Sequence, residues 1–195
     1  MSAAKKILLI QGHPDPAPER FCRKLAAAYA DGAREAGHEF RAIDIATLDF
    51  PLLRERAAWE KGLAPAALRP ALDAIACADH LVFVFPLWLG DMPALLKGFL
   101  EQAMRPGTAF RYRDKGMPEK LLKGKSARIV VTMGMPAPIY EWFFRAHSLK
   151  SLERNILGFV GVSPVRRSVV GMVEGSDEHR RKWLAKLRRL GAQAR

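Results

Sequence analysis

An alternation constrains this chain more than any other feature. Short apolar runs, each closed by a turn residue and followed by a stretch with helical spacing, recur five times along the sequence. Lys6–Gln11 is an apolar run stopped by Gly12 and predicts a buried strand. Phe21, Leu25, Ala28 and Tyr29 then share one helical face, which predicts a helix over Phe21–Ala36 with Gly37 as its stop. Phe40–Ile45 alternates apolar and polar residues, the period of a strand, and the Ala- and Leu-rich Pro65–Cys77 predicts a helix. His80–Phe85, β-branched and aromatic, predicts a strand ended by Pro86, and a helix follows over Pro93–Met104 with proline in its first turn. Ala127–Thr132 is a fourth strand. A helical stretch is expected over Ile139–Phe159, a fifth strand within Val165–Val173, and a closing helix over Asp177–Ala192 with Ser176 as N-cap.

Strands that are apolar on both faces need helices above and below, which is the requirement of a parallel sheet. The expected architecture is an α/β fold, a doubly wound five-stranded parallel sheet with helices on both faces, in a single domain spanning 1–195. A chain of 195 residues suits one such domain. Its 49% hydrophobic and 27% charged residues describe a globular protein, not a disordered one. No apolar run approaches the roughly 20 residues that cross a bilayer. The stretch Ile7–Ile10 after Lys5 and Lys6 is too short for a signal peptide. Cys22 and Cys77 have neither metal-ligand spacing nor scaffold density, so the expectation is two reduced thiols in a cytoplasmic protein without a bound metal.

Charge is the outlier. The formal net charge of +12 favours anionic partners: phosphates, nucleic acid or an acidic membrane surface. Nucleic acid is not expected, because no recognition module is present and the aromatics lie in apolar strands and helices. The closing helix is basic at Arg180, Arg181, Lys182, Lys186, Arg188 and Arg189, with Trp183, Leu184, Leu187 and Leu190 on the opposite face. That pattern suits first a solvated helix face, with a peripheral contact with an anionic membrane as the alternative.

Sites in doubly wound sheets lie outside the carboxyl ends of the strands. The segments to read are therefore Gly12–Arg20, Pro86–Met92 and Met133–Ile139. The first precedes a helix start, where free N–H groups and the helix dipole favour an anion. It carries neither the dinucleotide fingerprint nor a Walker loop, and its three prolines remove three donors. Donors must come from the N–H groups of Arg20, Phe21 and Cys22 and from the side chains of His13 and Arg20; the alternative is a rigid turn with a capping role. In the second segment Trp88 could stack on a flat ligand or seal the loop locally. In the third, Gly134 permits close approach of backbone to a ligand. Two long irregular segments, Ala46–Ala64 and Arg105–Lys125, are further places where function could reside.

Taken together, Gly12-His13-Pro14 with Phe21, Phe85-Pro86-Leu87-Trp88 with Pro93-Ala94-x-Leu96-Lys97-Gly98, and Thr132-Met133-Gly134 resemble the flavodoxin-like NAD(P)H:quinone reductases over residues 5–175. The resemblance implies a flavodoxin-like fold, a bound flavin (FMN, with FAD as the alternative), NAD(P)H as co-substrate and a homodimer. It also implies ping-pong hydride transfer to a quinone or other planar acceptor. Carried over by position, His13, Arg20, Phe21 and Cys22 would lie near the flavin phosphate and ribityl chain. Pro86, Leu87, Trp88 and Leu89 would run along the ring, with Thr132, Met133 and Gly134 on its other side. Tyr140 and His147 would be the catalytic pair supporting the reduced flavin. Phe110 and Tyr112 would border the substrate pocket, from the same or the neighbouring subunit. Two departures stand out. The usual Ser-Phe-Asn is here Arg20-Phe21-Cys22, with Arg20 expected to compensate by a charge-assisted bond, and Thr-Thr-Gly-Gly is Thr132-Met133-Gly134-Met135. A second role in keeping with this resemblance is an ancillary regulatory subunit of a potassium-efflux system, bound to a membrane transporter.

Overall fold

The computed structural model describes residues 3–60 and 62–195; Met1, Ser2 and Lys61 lie outside it. Strand β1 (Lys6–Gln11) leads through a proline-rich loop to helix α1 (Phe21–Glu35), and β2 (Glu39–Asp44) follows. The segment after β2, expected to be irregular, carries a short helix α2 (Arg56–Glu60); α3 (Arg69–Cys77) and β3 (His80–Pro86) come next. Helix α4 (Ala94–Ala103) precedes a second irregular segment, which contains a small antiparallel hairpin of β4 (Phe110–Arg111) and β5 (Glu119–Lys120). Then come β6 (Ser126–Thr132), a broken helical stretch with α5 (His147–Lys150) and α6 (Gly158–Val160), β7 (Val165–Val170), and α7 (Asp177–Ala192).

The main sheet has five strands in the order β2-β1-β3-β6-β7, and every neighbouring pair is parallel. This is the doubly wound sheet that the alternation of runs predicts. Side chains alternate between faces along each central strand. Leu8, Ile10, Leu81, Phe83 and Phe85 pack on one side with residues of α3, α4 and the segment 139–160. Ile7, Leu9, Val82, Val84 and Val130 pack on the other with α1 and α7. Each fully buried large side chain there contributes about 1.5–3 kcal/mol. β2, at the sheet edge, has no fully buried residue, which is why its sequence alternates instead of running apolar.

The expected continuous helix over Ile139–Phe159 is corrected. It breaks into a wide π-type turn (Ile139–Phe143), α5, a second π-type segment (Ser151–Leu157) and α6. The break falls at Arg145 and Ala146, both in the left-handed region with φ of 53° and 47°. Neither is glycine or asparagine, so no local signal marks the site. Tertiary contacts hold it: Ala146 is buried and its N–H donates to the Tyr140 carbonyl at 3.0 Å.

Candidate functional site

The carboxyl ends of β1, β3 and β6 deliver three loops to one place. Gly12 leaves β1 tight against β3, its N–H donating to the Val84 carbonyl at 2.7 Å. A Cβ there would sit 2.8 Å from Leu96 Cδ2 and 3.0 Å from Phe85 Cβ, so the approach requires glycine. Beyond it opens a cavity of about 340 Å³ lined by His13, Arg20, Phe21 and Cys22 from the first loop and α1. Pro86, Leu87 and Trp88 come from the second loop, Thr132, Met133 and Gly134 from the third, and Glu19, Val173 and Glu174 complete the lining. Ten of the eleven residues expected to hold a cofactor therefore share this lining. The exception is Leu89. Leu89 and Gly90, with φ of 48° and 81°, form the two-residue tip of a tight turn closed by mutual hydrogen bonds between Trp88 and Asp91, and the Leu89 side chain is fully exposed.

The first loop is organised by its own side chains. Asp15 N–H donates to His13 Nδ1 at 3.0 Å, which makes Nε2 the protonated ring nitrogen. Burial first, and then Arg23 and Arg20, hold the His13 pKa below its usual value despite the nearby Asp15 carboxylate, so the ring is a neutral donor at pH 7. It meets Trp88 edge to face, ring centroids 5.7 Å apart. Asp15 accepts from Ala17 N–H at 2.9 Å and pairs with Arg20 at 2.5 Å; these contacts hold its carboxyl below the ordinary range. Of the three first-turn N–H groups expected to be free, Arg20 N–H donates to the Ala17 carbonyl. The Phe21 and Cys22 N–H groups make no hydrogen bond among the described residues. Burial pushes the Cys22 thiol up to about 12, so it lines the cavity as a neutral, inert group. Gly134 has nothing within 4 Å of where a Cβ would stand, so the wall there is bare backbone.

The other four candidates lie outside this cavity. Tyr140 is buried in the core, its hydroxyl 2.6 Å from Ser148 Oγ and accepting from Leu149 N–H at 3.4 Å. His147 is exposed at the start of α5. Phe110 and Tyr112 stack edge to face at 5.2 Å and line a separate apolar cavity of about 330 Å³ with Trp59, Leu100, Met104 and Phe159. Sequence reading missed Arg23, whose guanidinium reaches two loop carbonyls and Asp44. Nothing in the spacing of a basic residue on α1 announces a partner at the end of β2.

Apolar surface from Leu87, Trp88 and Met133 suits a flat ligand, and the donors of His13, Arg20 and the start of α1 suit a phosphate, with Glu19 and Glu174 also in the lining. Comparison with known proteins agrees with that geometry. A protein of Haemophilus influenzae named an uncharacterized NAD(P)H oxidoreductase is 28% identical over 192 residues, covering 96% of this chain and 94% of its own. The FMN-dependent NADH:quinone oxidoreductase of Bordetella petrii is 38% identical over 99 residues, 50% of this chain and 46% of that protein, so the match spans about half of each. The solved NAD(P)H:quinone oxidoreductase from Methanothermobacter marburgensis superposes with a TM-score of 0.81 at 26% identity, covering 99% of this chain and 100% of that one. Residues 5–193 match the flavodoxin-like fold profile, and the chain belongs to that family.

Proposed function

We propose that this protein is an FMN-dependent NAD(P)H:quinone oxidoreductase, with NAD(P)H and a quinone or similar planar acceptor using one cleft in turn. The observation that carries the reading is the convergence of ten expected cofactor residues, from three separate segments, on a single cavity. The residues present fit the group. Phe21 and Cys22 N–H, the neutral His13 ring and the one Arg20 terminal nitrogen not paired with Asp15 supply phosphate donors, and the bare backbone at Gly134 leaves room for a ring edge. Bound FMN supplies the hydride chemistry; the protein supplies position and electrostatics. Pro86, Leu87, Trp88 and Met133 orient the ring and keep water from its faces. The α1 N-terminus favours the phosphate charge. Tyr140 takes no part in this scheme, because its hydroxyl is engaged by Ser148.

An adjoining cleft of about 610 Å³ shares Glu19, Phe21 and Val173 with the cavity and carries Lys24, Arg180 and Arg181, which makes FAD worth testing beside FMN. A second copy of the chain, setting its Phe110–Tyr112 cavity over the flavin cleft, would complete the substrate pocket; the separation of these aromatics from the cleft within one chain supports that arrangement. Cys22 and Cys77 are both free, in keeping with work in the reducing cytoplasm. Among the described residues no helix is long and apolar enough to cross a membrane. The ancillary-subunit role has no support in the relatives named above. The test is an absorbance titration of the purified protein with FMN and FAD, then NADH or NADPH, then a quinone. A flavin band bleached by the nicotinamide and restored by the quinone is expected; failure to bind either flavin would sink the proposal.

A further inference from the structure

The side chain of Arg23 lies behind the first loop, more than four-fifths removed from solvent, and ties that loop to the carboxyl end of β2, whose Asp44 stands opposite Gln11 of β1. Its Nε donates to the Asp15 carbonyl at 2.9 Å and one terminal nitrogen donates to the His13 carbonyl at 3.4 Å. The same fork holds the Asp44 carboxylate at the carboxyl end of β2, at 2.6 and 3.1 Å. Asp44 is itself fixed, since its Oδ1 caps Ala46 N–H at 3.1 Å. We infer that Arg23, clamped by Asp44, is a positioning residue: it sets the loop conformation in which this chain receives a phosphate. The inference rests on the reading of the cavity as a flavin site.

The physical argument concerns carbonyl oxygens. A phosphate needs donors only, and a loop of this length presents acceptors as readily as donors. With three prolines in it, few N–H groups can outvote a carbonyl that turns inward. Arg23 engages the His13 and Asp15 carbonyls, so neither is free to face an anion. Holding Asp15 also holds its N–H on His13 Nδ1, which leaves His13 Nε2–H as the donating end of the ring. The positive charge of Arg23 is neutralised by Asp44, so its contribution is geometry and not direct attraction. A lysine replaces it only in part, because one ammonium lacks the planar fork that serves a carboxylate and two carbonyls together.

Riboflavin, which has the ring and ribityl chain but no phosphate, separates this role from general destabilisation. FMN and riboflavin are titrated by fluorescence quenching into the wild type, Arg23→Ala, Arg23→Lys and Asp44→Asn, with thermal unfolding recorded for each. Arg23→Ala is expected to weaken FMN about 10-fold or more, with riboflavin affected about two-fold or less. Arg23→Lys should fall between it and the wild type. Asp44→Asn keeps side-chain volume and the cap on Ala46, and should weaken FMN about three-fold while folding normally. Equal losses for FMN and riboflavin, or FMN affinity unchanged in Arg23→Ala and Asp44→Asn, would overturn the inference. A wild type that binds neither flavin would instead overturn the reading of the cavity.

Discussion

Two buried side chains make sharp predictions at the scale of single residues. His80 is fully buried at the start of β3, with Nδ1 2.8 Å from Ser126 Oγ and, among the described residues, no hydrogen-bond partner on Nε2. Burial first, then Lys5, Arg128, Arg166 and His38, lowers its pKa to about 3. The native state therefore resists a proton that the unfolded chain takes up below about pH 6.5. Stability attributable to His80 is complete above that pH and falls by about 1.4 kcal/mol per unit down to about pH 3. Urea unfolding at pH 7 and pH 5 should show the wild type losing about 2 kcal/mol more than His80→Asn; equal losses would refute it. Tyr140 tests the other end of the sheet. Its hydroxyl is buried against Ser148 and outside the cavity lining, so Tyr140→Phe should cost about 1 kcal/mol of stability and leave stopped-flow flavin reduction by NADPH within about two-fold. A 100-fold slower reduction would restore it to the catalytic step. Tyr140 was legible as a chemistry-bearing residue, whereas His80 read only as the start of a strand; packing shows that both face the core.

Among elements, α1 and α7 meet through two glycines. A Cβ on Gly32 would collide with the Arg188 carbonyl, and one on Gly191 with the Tyr29 carbonyl. The obstacle in both cases is backbone, which cannot rotate away as a flexible side chain would. Gly32→Ala should therefore lower stability by about 1–3 kcal/mol, measured by denaturant midpoint, although alanine is the better helix former. A stabilised Gly32→Ala would show that the two helices are free to separate. The exposed ion pair of Arg188 with Glu35, nearby on the same helices, adds little by comparison. Boundaries of β1 and α7 were readable to the residue, since a buried run and a Ser176 cap are local signals. The fracture at Arg145–Ala146 was not, because the apolar spacing of 139–159 continues across it.

For the whole molecule, a cluster of four exposed apolar side chains lies on the turn after β6. Trp142 and Phe143 are 84% and 78% exposed, with Ile139 and Phe144 about half exposed beside them. A cluster of this kind is rare on a monomer that remains alone. The homodimer proposed above would give it cover, and in that case light scattering should return about twice the 21.7 kDa chain mass. Trp142→Ser together with Phe143→Ser should shift the protein toward monomer at micromolar concentration, with FMN retained and quinone turnover reduced. A monomeric wild type with full turnover would remove the second copy from the site.

The sequence by itself determined the architecture and most of one cavity. Strand order apart, a parallel sheet follows from runs too apolar to face water on either side, and its carboxyl edge follows from chain direction. His13, Trp88 and Gly134 could then be placed there, because each stands directly after a strand. Tertiary structure alone decided which neighbours those residues meet. Arg23 joins Asp44 across 21 positions, Tyr140 turns inward to Ser148, Leu89 swings out on a turn, and Phe110 lies in a different hollow. Periodicity reports which face of an element is buried. It carries no information about hydrogen-bond partners brought together by packing, and the chemistry of this site depends on those partners.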